Sequence, residues 1–208
     1  MSADGEELGP LSDEAGDEIE PDWSPDGSRI AFTFDDGGEP SWRSGIAVVN
    51  AHGSGWTEVI ARDQERVGMP HWSPDGSRLA FTVFSSDGIT PYVIDADGSD
   101  LVRLRDGPGV VLDWTPDGRR ILLSADERYV SVHPDGSDER VFIEDVPEAG
   151  RLVMDWSPDG AWIITSSPTA GPTQSGPAEG RVYLMRVDGS QVFVIALGAE
   201  PSWRPGTG

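Results

Sequence analysis

The chain has 208 residues and a formal net charge of −22 at pH 7, and all of its 15 basic residues are arginine. So acidic a surface repels a phosphate backbone, which argues against nucleic acid as a partner, whereas basic proteins and divalent cations are attracted. The absence of cysteine excludes disulfides, thiolate nucleophiles and cysteine metal sites. No apolar run approaches the roughly 18 residues that a membrane helix needs, so no membrane insertion is predicted.

Residues 1–20 form an acidic N-terminal segment without the basic start and apolar centre of a secretory signal peptide. Within it, LGPL at residues 8–11 is interpreted as an outer strand of an incomplete sheet. The sequence alone does not determine the compartment.

A tryptophan-centred motif follows, PDWSPDG at residues 21–27, and it returns as PHWSPDG, LDWTPDG and MDWSPDG, with a shortened copy, PSWRPG, near the C-terminus. The five tryptophans are 42 to 49 residues apart. This spacing matches the period of roughly 40 to 50 residues of one β-propeller blade. The repeated residues are Trp23, Trp72, Trp114, Trp156 and Trp203.

The Ser-Pro-Asp-Gly part of the motif predicts a strand reversal. Proline presets φ for the first corner of a type I turn, aspartate suits the second corner, and glycine accepts the left-handed conformation that follows. The preceding tryptophan can fill the wedge between one twisted sheet and the next, so all the repeated tryptophans are predicted to lie in the core.

Each repeat unit is predicted to contain four antiparallel strands. The runs RIAFTF and RLAFTV alternate with the period of a strand, and later apolar runs such as YVIDADG end in glycine turns. The predicted fold is therefore an all-β propeller with four blades and an extra tryptophan-bearing strand. The approximate bounds are 21–68, 69–111, 112–153 and 154–200 for the blades, within a propeller domain of 21–205, and 201–205 for the closing strand.

The runs WSPDGSRIAF and WSPDGSRLAF closely resemble the WD40-like, or PD40, repeats of the TolB-like β-propellers. WTPDGRRILL and WSPDGAWIIT are looser copies. The resemblance implies a propeller fold and suggests a periplasmic or extracellular home. It does not fix a function, because the family includes the periplasmic propeller of the Tol–Pal system, sensor domains and the non-catalytic propellers of oligopeptidases.

The two ends of the chain leave the closure of the ring open, because five inner strands accompany only four sets of the other three. Four blades could close with a spare strand, several chains could complete one another's ring as a homo-oligomer, or the chain could be part of a longer propeller.

The residues before the five tryptophans occupy equivalent positions, and three of them, Asp22, Asp113 and Asp155, are carboxylates. Near the central axis they could supply oxygen ligands to Ca²⁺, with His71 a poorer ligand and Ser202 at the fifth position. The alternative is that each carboxylate accepts hydrogen bonds from a neighbouring backbone amide or an arginine. Calcium is the one cofactor for which the residues offer candidate ligands.

No catalytic motif is present, so the chain is not predicted to be an enzyme. The loops between second and third strands form one face of a propeller, and the first of them holds Trp42 and Arg43 outside the repeat. Both residue types are enriched in binding hot spots, which makes them the candidate contacts of a protein or peptide partner. The predicted function is therefore non-catalytic binding or scaffolding of a protein or peptide, through the loop face or the mouth of the central channel. Two alternatives remain: an accessory propeller of a larger hydrolase, and a repeat unit that assembles with itself.

Overall fold

The computed structural model describes residues 16–38, 42–126, 128–143, 154–157, 159–166, 181–187 and 190–197. These residues form sixteen β-strands in four antiparallel sheets of four strands each. The all-β prediction with four repeat units is therefore confirmed, and the sheets are consistent with a propeller of four blades. Within the described part of the chain, no helix is long and apolar enough to cross a membrane.

In every sheet the strands are adjacent in the order of the sequence. The first sheet contains β1 (Asp17–Trp23), β2 (Arg29–Asp35), β3 (Arg43–Asn50) and β4 (Thr57–Asp63). The second contains β5 (Arg66–Trp72), β6 (Arg78–Ser85), β7 (Gly88–Asp95) and β8 (Val102–Arg103). The third contains β9 (Val110–Trp114), β10 (Ile121–Ala125), β11 (Arg128–Val132) and β12 (Arg140–Ile143). The fourth contains β13 (Met154–Trp156), β14 (Trp162–Ser166), β15 (Arg181–Arg186) and β16 (Val192–Leu197).

The chain divides into two compact units, Met1–Val102 and Arg103–Gly208. The first unit holds the first and second sheets, apart from the last residue of β8, and the second unit holds the third and fourth sheets. Strand β1 begins at Asp17, so the end of the predicted N-terminal segment belongs to the first sheet. The predicted strand at 8–11, the closing strand at 201–205 and most of the loop at 166–181 lie outside the described residues.

The glycines that end the four Ser/Thr-Pro-Asp-Gly motifs have the predicted left-handed conformation. Their φ lies between +66° and +69°, and each glycine amide donates to the carbonyl of the residue three positions earlier, at 2.8 Å. In the first turn the Ser24 hydroxyl donates to Asp26 at 2.6 Å, and the amide of Ser28 donates to the same carboxylate. These bonds, led by that of Ser24, hold the pKa of Asp26 at about 2. The glycines are Gly27, Gly76, Gly118 and Gly160.

The core of the first unit lies between the first and second sheets. Alternation along each strand sends every second side chain to this face, where Trp72 packs against apolar residues of the first sheet. The buried residues here are Ala31, Ile46, Val48, Val59, Val67, Trp72, Leu79, Phe81, Val83 and Ile94. In the second unit, a corresponding cluster joins the third and fourth sheets through Leu122, Tyr129, Ile163 and Met185.

The prediction that all the repeated tryptophans lie in the core is wrong for Trp23. Trp72 and Trp114 are buried, at 5% and 2% exposed, and Trp156 is half-buried, but Trp23 is 56% exposed. Trp72 is buried because it packs against the sheet that precedes its own. No sheet precedes the first one among the described residues, so Trp23 lacks that contact. Trp203 lies outside the described residues.

A β-bulge in strand β1 places Glu20 at φ 56° and turns its carboxylate towards the second sheet. Glu20 accepts hydrogen bonds from the Met69 amide at 2.8 Å and the Thr33 hydroxyl at 3.1 Å, and it forms a salt bridge with Arg66 at 2.9 Å. Strand β5 has its own bulge, with Met69 at φ 60°. The bulge therefore lets one carboxylate join two sheets.

Candidate functional site

Two of the aspartates that precede the repeated tryptophans, Asp22 and Asp113, join neighbouring sheets. In the first unit, Asp22 Oδ2 accepts the backbone amide of Trp72 at 2.7 Å, and the Asp22 carbonyl accepts the indole N–H of Trp72 at 3.2 Å. In the second unit, Asp113 Oδ1 accepts the amide of Trp114 at 2.7 Å, and its Oδ2 accepts the indole N–H of Trp156 at 2.9 Å. Asp22 thus fastens Trp72, and Asp113 fastens Trp156, to the preceding sheet. The carboxylates of both aspartates therefore have a structural role.

The predicted calcium site remains a prediction. Asp155 lies half-buried on β13, His71 lies half-buried on β5, and Ser202 is outside the described residues. Among the residues that the structure describes, no group of three or more histidine or acidic side chains is arranged to hold a metal ion. The amide contacts of Asp22 and Asp113 agree with the alternative role that the sequence allowed.

The histidines outside the tryptophan motif lie in the hairpins that join the third and fourth strands of their sheets. His52 Nε2 lies 2.8 Å from the Ser54 hydroxyl, and His133 Nδ1 lies 3.4 Å from the Ser137 hydroxyl. In both hairpins the serine is part of the turn, where its carbonyl accepts a backbone amide. A turn role accounts for both histidine–serine contacts.

A small pocket of about 150 Å³ opens on the first sheet, at the end where β2 runs into the loop towards β3. Phe34 and Trp56 provide its apolar walls, with their rings edge to face and 5.7 Å apart. Arg43 and acidic residues of β1 and the loop provide its polar rim. This pocket, called the Arg43 pocket below, is lined by Gly16, Asp17, Glu18, Phe34, Asp36, Arg43 and Trp56.

Arg43 is held in a defined position at the rim. Its guanidinium donates to Glu58 at 2.6 Å, and this bond raises the pKa of Arg43 above its ordinary value. The Arg43 amide donates to the Asp36 carboxylate at 2.8 Å, and the Asp36 amide donates back to the Arg43 carbonyl at 3.0 Å. The side chain is still 41% exposed, so it can meet a ligand from solution.

Trp42 does not line this pocket. It is half-buried, and its carbonyl accepts the amide of Gln64 at 3.0 Å. The structure therefore places Arg43, but not its predicted neighbour, beside an aromatic-walled pocket. The aromatic residues that accompany Arg43 are Phe34 and Trp56.

Trp56 was not predicted as a site residue; it stands outside the repeat just before β4. Its indole nitrogen is buried, and no described residue accepts its hydrogen. A buried donor without an acceptor is uncommon in folded proteins and calls for an explanation. A lone tryptophan at this place in the sequence was the only available signal.

A family model described as the TolB beta propeller domain, PD40, matches residues 1–206. Among curated proteins, no sequence match is found.

Solved structures of similar fold come from proteins with different roles. A TolB candidate from Agrobacterium tumefaciens is 20% identical with a TM-score of 0.60, and the match covers 86% of this chain and 80% of that one. Oligogalacturonate lyase from Vibrio parahaemolyticus is 13% identical with a TM-score of 0.67, over 90% and 56% of the two chains. Acylaminoacyl peptidase from Pyrococcus horikoshii is 15% identical with a TM-score of 0.58, over 86% and 32%. At these identities the similarity demonstrates a shared fold.

Proposed function

The chain belongs to the PD40 family of TolB β-propeller domains, and on this basis we propose that it is a non-catalytic binding or scaffold propeller that takes up a protein or peptide segment at the Arg43 pocket. The observation that carries the proposal is the buried indole N–H of Trp56, which has no acceptor among the described residues although Trp56 lines an open pocket. A backbone carbonyl of an incoming peptide would supply that acceptor once the Trp56 ring rotates enough to open its N–H to the Arg43 pocket.

The size of the Arg43 pocket favours a single side chain over a cofactor. Its volume of about 150 Å³ lies below the range of about 300–1,000 Å³ that is typical of small-molecule and cofactor sites. The aromatic walls suit an apolar side chain, and the exposed guanidinium of Arg43 can donate to a second carbonyl of the same segment.

The charges around the Arg43 pocket define the flanks of the peptide. Three acidic residues line it beside one arginine, and that arginine is already paired with Glu58. The whole chain carries a net charge of −22. A segment with basic flanking residues would therefore be attracted and an acidic one repelled.

The proposal is tested by selecting peptides from a displayed random library on the immobilised full chain. We expect enriched peptides with an apolar residue between basic ones. Trp56→Phe keeps the aromatic wall but removes the N–H, so it should weaken their binding about three- to tenfold. Arg43→Gln should weaken it by a similar factor.

Arg66→Gln is the matched control for Arg43→Gln. Arg66 is 44% exposed and paired with a glutamate, like Arg43, but it does not line the pocket. It should leave binding unchanged. No enrichment, or equal binding to wild type, Trp56→Phe and Arg43→Gln, would contradict the proposal.

Self-assembly is a second candidate function, and strand β16 favours it. This strand is the outer edge of the fourth sheet, and three consecutive apolar residues on it, Phe193, Val194 and Ile195, are 46%, 55% and 50% exposed. Exposed apolar edge strands pair readily with other chains. Light scattering at increasing concentration should then show a discrete oligomer that Val194→Lys converts to monomer, whereas a monomer throughout would reject this candidate.

The rival function is that of an accessory propeller of a larger hydrolase. It predicts a catalytic domain elsewhere in the same parent protein. A periplasmic or extracellular location is the compartment that fits the family resemblance. Fractionation of the native cells with an antibody against the chain would test it.

A further inference from the structure

An arginine occupies a well-defined seat between the first and second sheets. The guanidinium carbon of Arg29 lies 4.5 Å from the centre of the Trp72 ring, and its Nη2 donates to the carbonyl of Gly76 at 2.9 Å. Pro25 borders this seat, because a Cβ on Gly76 would lie 3.6 Å from its ring. The seat thus consists of a tryptophan face, a carbonyl of the following turn and a proline of the preceding turn.

The same walls recur between the third and fourth sheets. Trp156 replaces Trp72, Gly160 replaces Gly76 and Pro116 replaces Pro25, at identical positions of the motif. A Cβ on Gly160 would lie 3.3 Å from Pro116, so the two turns approach each other in the same way. The indole of Trp156 is anchored to the preceding sheet through Asp113, as that of Trp72 is through Asp22.

The equivalent arginine of the third sheet, Arg120, forms its contacts within its own sheet. Arg120 stands six residues after its tryptophan, as Arg29 does, but its Nε donates to the Ser131 hydroxyl at 2.9 Å and its Nη2 to the Ser131 carbonyl at 2.8 Å. Its Nη1 pairs with Asp138 at 2.9 Å, and its Nη2 also contacts the Asp138 carbonyl. All of these partners belong to the third sheet or its last hairpin.

Two repeat positions carry different residues in the first and third sheets, and they explain why Arg29 and Arg120 have different partners. The position of Ser131 is occupied in the first sheet by Val48, since both pair with the residue eight places after the tryptophan. The position of Asp138 is occupied by Gly55, and both residues have positive φ at the same place in the hairpin. Arg29 therefore finds no side-chain acceptor at either position in its own sheet and reaches across to the second sheet.

A groove of about 470 Å³ lies over Trp156. No described arginine lies over this ring. Arg119, which also lines the groove, is 84% exposed, with its Nε 3.8 Å from the Asp117 carboxylate. Three arginines and three aspartates lie in and around the groove, so it is close to neutral within a strongly acidic chain. They are Arg119, Arg120, Arg140, Asp117, Asp138 and Asp159.

We propose that the groove over Trp156 is a receptor site for the arginine side chain of a protein partner, which stacks on the Trp156 ring and donates to the Gly160 carbonyl as Arg29 does on Trp72 and Gly76. Cation–π contact with tryptophan is the most favourable of its kind, and arginine is its commonest cation. The net charge of −22 draws basic segments to the chain. This site is distinct from the Arg43 pocket and does not depend on it.

The test uses the ¹⁵N-labelled full chain and the peptide acetyl-Gly-Arg-Gly-amide, followed by NMR. Peptides with citrulline, the neutral isostere, or lysine in place of arginine serve as comparisons. We expect the arginine peptide to shift the indole N–H of Trp156 and the amide of Ala161, and the citrulline peptide to bind at least about fivefold more weakly. Shifts scattered over the acidic surface and equal for arginine and lysine would overturn the proposal.

Variants distinguish binding at Trp156 from general electrostatic attraction to the acidic chain. Ser131→Val with Asp138→Gly copies the first sheet and should release Arg120 into the seat, which reduces peptide binding at least about fivefold. Adding Arg120→Ala to that pair should restore binding. Asp100→Gly is the matched control, because Asp100 has the equivalent position and a positive φ in the second sheet. If the double variant binds like wild type, with its fold verified by circular dichroism, the proposal fails.

Discussion

Asp113 is the most informative residue for testing how the sheets are held together. Its carboxylate accepts the amide of Trp114, which is 2% exposed, and the indole N–H of the half-buried Trp156. Asp113→Ala leaves both donors without this acceptor. A buried donor without its acceptor costs about 1–3 kcal/mol. Water can reach Trp156 in part, so we expect the free energy of unfolding to fall by about 2–4 kcal/mol.

The assay is urea unfolding followed by circular dichroism, with hydrogen exchange of the Trp156 indole as a local readout. Asp113→Asn keeps one acceptor oxygen and should cost about half as much as alanine. Asp87→Ala, at an exposed turn, should cost less than about 0.5 kcal/mol. Equal losses for Asp113→Ala and Asp87→Ala would refute the reasoning that this carboxylate joins the third and fourth sheets.

The remaining predictions concern burial, pH and calcium. Trp72→Ala should cost about 3–5 kcal/mol in urea unfolding, whereas Trp23→Ala, at a half-exposed position, should cost less than about 1 kcal/mol; equal costs would contradict the packing described here. The Ser73 hydroxyl, the main cause, lowers the pKa of Asp75 to about 2. The stabilisation that this lowered pKa of Asp75 gives the folded chain is therefore present above about pH 4, the ordinary pKa, and is lost as the pH falls through about 2. A carboxyl ¹³C titration should give this value and a higher one in Ser73→Ala; unchanged titration would exclude the hydroxyl as the cause. If calcium binds the predicted carboxylates, Ca²⁺ should raise the melting temperature more than Mg²⁺ does, and Asp113→Asn with Asp155→Asn should abolish the gain; no shift would remove the calcium prediction.

The repeat and its turns were predictable because they depend on local chemistry. Proline, aspartate and glycine determine the turn wherever it occurs, and the strand alternation follows from one buried face. The exposure of Trp23 was not predictable in this way, because it depends on which sheet lies beside it. The bulge at Glu20 was missed for a similar reason, since its carboxylate is satisfied by residues of the neighbouring sheet.

The candidate sites show the same division between local and tertiary information. Arg43 was found because it departs from the repeat, but its companion Trp56 becomes recognisable only when β2 and β4 bring Phe34 and the indole together. The groove over Trp156 arises from two substitutions, Ser131 and Asp138, that change the direction of one arginine. Comparing the repeats position by position could have raised that possibility. The three-dimensional contacts were needed to decide it.

The most direct test of the account is calorimetric titration of a selected peptide into the wild-type chain and Trp56→Phe, with the peptide recovered afterwards and its mass measured. We predict saturable binding at one site, about three- to tenfold weaker binding to the variant, and a peptide of unchanged mass. Equal affinity for the two proteins would contradict binding at the Arg43 pocket. A cleaved or modified peptide would contradict the non-catalytic role.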